Sequence, residues 1–225
     1  MPRPKQVDAQ FSIRQVRARV WWPDRTLVEP KLHRYRGYLR GLFPEEGEAL
    51  VVGGETGEVT ALRKGGIDMV LVPSELIFQC DRTAGAEDTF LVLLNCLRQL
   101  PVTRRPGIRM DLHVGGDLSL PGVADAASLI SPAALGLSAS AVGRLEGQVA
   151  RCGISLYMCE HPVHTTISLA PGLTSKETIW VYLARQGFSF TQITKADRFL
   201  SGTVRMARED IAVLAHDSWV DRKER

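Results

Sequence analysis

The segment HRYRGYLRGLF, residues 33 to 43, sets Arg34, Arg36 and Arg40 among two tyrosines, with glycines at 37 and 41 and a histidine at its head. Guanidinium groups present forked donors that match phosphate oxygens, which a lysine ammonium does not. An interior glycine costs a helix about 1 kcal/mol relative to alanine, and Gly37 and Gly41 are spaced to fall on one helical face. Two arrangements compensate for that cost. A phosphate can approach the bare backbone, or the helix can pack tightly on a sheet. His33 likewise has two uses. It can donate a hydrogen bond to a nucleic-acid backbone. It can also act as general base on a ribose 2′-hydroxyl, with Arg34, Arg36 and Tyr35 nearby in sequence to orient it and bear the developing charge. The first use is the expectation, so no catalytic residue is assigned.

The residues just upstream strengthen the anionic reading. Residues 11 to 22 (FSIRQVRARVWW) alternate in their second half, with Val16, Ala18, Val20 and Trp22 on one face and Arg17, Arg19 and Trp21 on the other. Residues 1 to 40 hold ten lysines and arginines against three acidic residues, in a chain whose net charge is only +3. Such a local excess, interleaved with aromatic rings, suits a polyanion with stackable bases. An arginine-rich composition alone is the competing explanation. No Walker loop, GxSxG or HExxH is present, so nothing in the sequence indicates metabolic catalysis. There is no run of eighteen apolar residues and no apolar stretch behind the basic N-terminus. The expectation is a cytoplasmic protein without a membrane span or signal peptide.

The cysteines Cys80, Cys96, Cys152 and Cys159 include no CxxC pair, which argues against a disulfide framework and a zinc ribbon. Cys152, Cys159, His161 and His164 form C-x6-C-x-H-x2-H, a chemically possible zinc set. Cysteine is also among the most buried residue types, and Leu156, Tyr157 and Met158 read as core. No metal or cofactor is assigned, and folding is expected not to need zinc.

These residues require elements to position them. After the strand at 11 to 22 and the basic helix, which Pro44 ends, residues 49 to 53 and 58 to 62 flank a GGETG loop as a hairpin. The run IDMVLV reads as a buried strand. Residues 87 to 100 read as a helix with acidic residues in its first turn and a stop at Pro101. Residues 107 to 114 read as a strand that presents Arg109, Asp111 and His113 on one side.

With one extra strand, this order predicts an α+β fold, ferredoxin-like (RRM-like) over 1–115, with helices on one sheet face and the other face free. A mixed α/β appendage or second domain would occupy 116–225. There SASAVGRLEGQVAR reads as a helix and GISLYMCEHPVHTTISLA as a hairpin. Residues 174 to 186 read as a capping-box helix. In a ferredoxin-like sheet the first and last strands are neighbours, so Arg17, Arg19, Trp21, Arg109 and His113 meet on one surface if both registers hold.

The N-terminal strand, the basic helix directly after it and the strand–helix order through Val114 resemble the RAMP superfamily, ferredoxin-like RNA-binding proteins of CRISPR effector complexes. The resemblance implies an RNA-binding subunit of an antiviral ribonucleoprotein, with other protein subunits as partners. Some members cleave guide RNA without metal, and on that reading His33 with Tyr35 is the matching pair. The segment Leu183-Ala184-Arg185-Gln186-Gly187-Phe188-Ser189, with Ile193 and Ser201-Gly202-Thr203-Val204-Arg205, is instead similar to helix-turn-helix DNA binders, one position out of their usual spacing. The expected function is a non-catalytic RNA-binding subunit. The alternatives are a helix-turn-helix DNA-binding regulator and a metal-independent endoribonuclease.

Overall fold

Phe11, Ile13, Val16, Ala18 and Val20 are buried on one side of β1 (Gln10–Trp21), while Arg17 and Arg19 are exposed on the other. The computed structural model describes residues 9–22, 34, 35, 37, 38, 41, 48–52, 59–64, 66–72, 74–81, 86–99, 108–131, 153–172 and 175–216. β2 (Glu48–Val52) and β3 (Val59–Lys64) pair as the hairpin expected from the sequence. β4 (Ile67–Val72) and β5 (Glu75–Cys80) form a second hairpin. β6 (Ile108–Ser119), β7 (Ile154–Glu160), β8 (Val163–Pro171) and β9 (Thr178–Phe190) follow.

All nine strands form one sheet in the order β2-β3-β4-β5-β1-β6-β9-β8-β7, and every pairing between neighbours is antiparallel. The class is therefore α+β, as the element order predicts. Both neighbours of β1, β5 and β6, run antiparallel to it.

Helix α1 (Ala86–Gln99) buries Phe90, Leu93, Leu94, Cys96 and Leu97, the apolar stripe of its helical repeat. The Cys96 thiol lies 3.6 Å from Met69 Sδ on β4, and the Cys80 thiol of β5 lies 3.6 Å from Thr89 Oγ1. α1 thus covers the inward side chains of β4 and β5. After the short turn α2 (Ala126–Leu129), the C-terminal helix begins as α3 (Ile193–Arg205). It passes through a π turn at Met206–Asp210 and ends as α4 (Ile211–Ala215). Ala196, Phe199, Leu200, Thr203, Ala207, Ile211 and Ala215 line its buried side. α3 packs on α1 and β9, so these helices share one face of the sheet. No helix among the described residues is long and apolar enough to cross a membrane.

The expected boundary at 115/116 falls inside β6, whose residues pair with β1 on one side and β9 on the other, so one sheet runs through both halves. Other expectations are corrected. IDMVLV alternates buried and half-buried residues and is not buried throughout. Residues 178 to 186 belong to strand β9 and not to a helix. Ile179, Val181 and Leu183 are buried at every second position, and the segment is rich in β-branched and aromatic residues. The Ser175–Glu177 pair that reads as a capping box instead closes a turn: Ser175 Oγ accepts from the Glu177 N–H at 3.1 Å just before the strand. The helix-turn-helix reading falls with it. Residues 183 to 190 are extended, and Ser201 to Arg205 complete the first stretch of a single helix, with Thr203 fully buried. The helix expected at SASAVGRLEGQVAR and the GGETG loop lie outside the described residues.

Candidate nucleic-acid interface on the sheet face opposite the helices

The side of the sheet turned away from α1 and α3 collects the outward residues of β1, β6 and β9. Register pairs Arg17 with His113, Arg19 with Asp111 and Trp21 with Arg109. Five residues singled out in sequence therefore stand on two adjacent strands, directly across from one another. Arg17, Arg19 and Arg109 are exposed, and Trp21 and His113 are half-buried.

β9 adds a residue that the sequence reading missed. Tyr182 joins His113 in a short hydrogen bond between its hydroxyl and Nδ1, with ring centroids 5.8 Å apart and tilted by 51°. Burial pushes the His113 pKa below its ordinary value; the Asp111 carboxylate opposes this and the Arg17 guanidinium adds to it. Burial also raises the Tyr182 phenol, against the pull of Arg17. Arg17 thus stands within electrostatic reach of both rings, and His113 is neutral near pH 7.

Asp111 is held by the backbone. Its Oδ1 accepts the Gly187 N–H at 2.8 Å, where β9 bulges against β6 and Gly187 takes the left-handed φ of 81° that favours glycine. Arg19 is committed twice, with Nε 2.7 Å from Glu75 Oε2 and its guanidinium 5.5 Å from the centre of the Trp21 ring. At the other end of the face Arg14 Nε binds Asp117 Oδ2 at 2.9 Å. Trp180 lies over the bare backbone of Gly115, where an added Cβ would sit 2.8 Å from its ring. The chemistry on offer is cationic donors on Arg17 and Arg109, aromatic faces on Trp21 and Tyr182, and a hydrogen-bonding pair at His113.

The depressed histidine makes a prediction. Because the folded imidazole has a pKa below the ordinary value of about 6.5, the unfolded chain takes up the proton first as pH falls. The stability contributed by neutral His113 is fully present above about pH 6.5 and is lost as pH drops below that value. His113→Gln should flatten the decline of Tm between about pH 7 and pH 5, measured by circular dichroism. A decline as steep as that of the wild type would show that His113 does not carry it.

The remaining sequence candidates separate. Arg34 is helical and exposed. Tyr35 is 2% exposed, and its hydroxyl donates to the Cys96 carbonyl at 2.9 Å, while burial, Cys96 and Tyr38 push its pKa well up. It is a core residue that ties the basic helix to α1 and not half of an exposed catalytic pair, because its ring supplies the apolar contact there. His33, Arg36 and Arg40 lie outside the described residues. An added Cβ at Gly37 or Gly41 would meet nothing within 4 Å, so tight packing does not explain these glycines.

Cys159 and His164 are register partners on β7 and β8, and His164 Nδ1 is 2.6 Å from the Tyr157 hydroxyl. Cys152 lies outside the described residues. No group of three His, Cys, Asp or Glu able to hold a metal occurs among the described residues. Cys80 and Cys96 are buried thiols, and burial pushes Cys96 up to about 12.

The signal for Tyr182 was present in sequence. Trp180 and Tyr182 alternate with Ile179, Val181 and Leu183 at period two, but the Ser175–Glu177 spacing drew the reading toward a helix. A scan against models of known protein families finds none that matches the chain, and a search of curated proteins finds no match.

Proposed function

We propose that this protein is a non-catalytic binder of single-stranded RNA that uses the sheet face opposite its helices, as a cytoplasmic subunit of a ribonucleoprotein. The observation that carries the reading is the register of β1, β6 and β9, which sets Arg17, Arg109, Trp21, His113 and Tyr182 on one surface. Neighbouring strands lie about 4.8 Å apart, so cations and rings on adjacent strands present an array on the scale of successive nucleotides. Single strands offer unstacked bases to aromatic side chains and phosphates to arginines. The His113–Tyr182 pair and Asp111 supply the neutral and anionic hydrogen-bonding groups that a ribose hydroxyl can meet. Fluorescence anisotropy with labelled single-stranded RNA, single-stranded DNA and duplex DNA tests this. Single-stranded RNA should bind most tightly, and tighter binding of the duplex would reject the reading.

One observation favours a second reading. A histidine joined to a tyrosine hydroxyl beside an arginine contains the base and the cation that metal-independent RNA cleavage needs, with His113 replacing His33 in that role. Discrete cleavage products from a hairpin RNA without added metal, abolished by His113→Ala with binding retained, would establish it over the non-catalytic reading.

A further inference from the structure

On the helix side of the sheet, a groove of about 420 Å³ runs between α3 and β9, within the volume range of small-molecule sites. Its lining is cationic. Arg185 comes from β9 and Lys195, Arg198 and Arg205 from α3, against two carboxylates, Glu160 and Asp210. Glu160 lies close enough to Arg185 to favour its charge. The inner wall is aromatic: Phe188 and Phe199 stack with centroids 4.0 Å apart and planes within 6°.

Gly202 sits on this lining, with Arg198 one turn before it and Arg205 one turn after. Along the axis Arg198 and Arg205 are about 10 Å apart, a span that two arginine side chains can bridge toward a common anion. The glycine costs the helix about 1 kcal/mol relative to alanine. Nothing crowds its position: an added Cβ would find as its nearest neighbour only Arg185 Nη1, at 4.0 Å. Helix packing therefore does not require the missing side chain, and its absence leaves the backbone open to close approach.

Arg185 forms the floor. Its guanidinium carbon lies 4.4 Å from the centre of the Phe199 ring, Nη1 donates to Thr203 Oγ1 at 3.0 Å, and Nε is buried without an acceptor among the described residues. A fixed, partly desolvated guanidinium beneath a bare stretch of helix attracts an anion more strongly than a solvated one does.

We propose that this groove binds a small phosphate ester, with the phosphate seated over Gly202 between Arg198 and Arg205 and the organic part against Phe188. The site lies on the opposite side of the sheet from the RNA-binding face and does not depend on that reading. Isothermal titration calorimetry at low ionic strength, with adenosine monophosphate and inorganic phosphate as probes, tests it. The wild type should bind adenosine monophosphate, inorganic phosphate should compete, and Arg198→Ala with Arg205→Ala should weaken binding at least tenfold. Gly202→Leu, which fills the seat while raising helix propensity, should remove binding with the circular dichroism spectrum unchanged. Arg17→Ala with Arg109→Ala should leave it intact. Absence of binding by the wild type, or equal binding by the Arg198/Arg205 variant, would overturn the proposal. So would loss of single-stranded RNA binding in that variant with neither small probe bound, because the groove would then be a track for the RNA strand.

Discussion

Replacing Arg17 and Arg109 together by alanine is expected to lower affinity for single-stranded RNA roughly a hundredfold and to flatten its salt dependence. Both arginines are exposed on the face opposite the helices, on neighbouring strands. A hydrogen bond to a charged group contributes about 1.5 to 3 kcal/mol, so losing two corresponds to about 3 kcal/mol at the lower bound, or two orders of magnitude. On a single strand each phosphate contact adds about 0.7 to the slope of log K against log salt, so the double variant should lose about twice that. Arg19→Ala should do less, because Glu75 and Trp21 already engage its guanidinium. Anisotropy titrations at several salt concentrations measure both quantities. An unchanged slope would mean that these arginines do not meet phosphates.

Gly116→Val is expected to destabilise the fold by about 3 kcal/mol, the upper range for overpacking a filled core. Gly116 lies on β6 opposite Ile13, where β1 carries an irregularity between Ile13 and Gln15 that brings the two backbones together. A Cβ there would sit 2.9 Å from the Phe11 ring and 3.0 Å from Ile13 Cα, and closer still to the Ser12 carbonyl oxygen. The Ile13 and Ser12 atoms are backbone and cannot swing aside as a side chain does. Against a typical total of about 5 to 15 kcal/mol, such a loss lowers Tm substantially and is visible in a urea melt. A melt coincident with the wild type would show that β1 and β6 are not in this register, and would remove the alignment of Arg17 with His113.

Much of the proposed binding face was legible because it rests on β1 and β6, two strands with clear alternation. Val16, Ala18 and Val20 against Arg17 and Arg19, and Met110, Leu112 and Val114 against Arg109 and His113, define inward and outward sides without knowledge of the partner strand. Their adjacency followed from the element order, which sets the first strand of the N-terminal half beside its last. The ELIFQC run was not read as a strand; it forms β5, which pairs with β1 on the side away from β6.

β9 was misread for a different reason. Its inward side includes Arg185, which interrupts the apolar pattern because it packs on Phe199 and Thr203 of α3. A capping-box spacing is a local signal, and burial of Ile179, Val181 and Leu183 in a sheet overrides it. The groove over Gly202 could not be read from sequence, since its floor on β9 and its rim on α3 meet only in the tertiary structure.

Photocrosslinking of the full chain to a single-stranded RNA containing 4-thiouridine, with the modified peptides mapped by mass spectrometry, tests the central claim most directly. The account predicts crosslinks at Trp21, Tyr182 and their strand neighbours on β1, β6 and β9, all of which the Arg17/Arg109 double variant should lose. Crosslinks confined to α3 around Arg198 and Arg205, with the β1, β6 and β9 peptides unmodified, would contradict it.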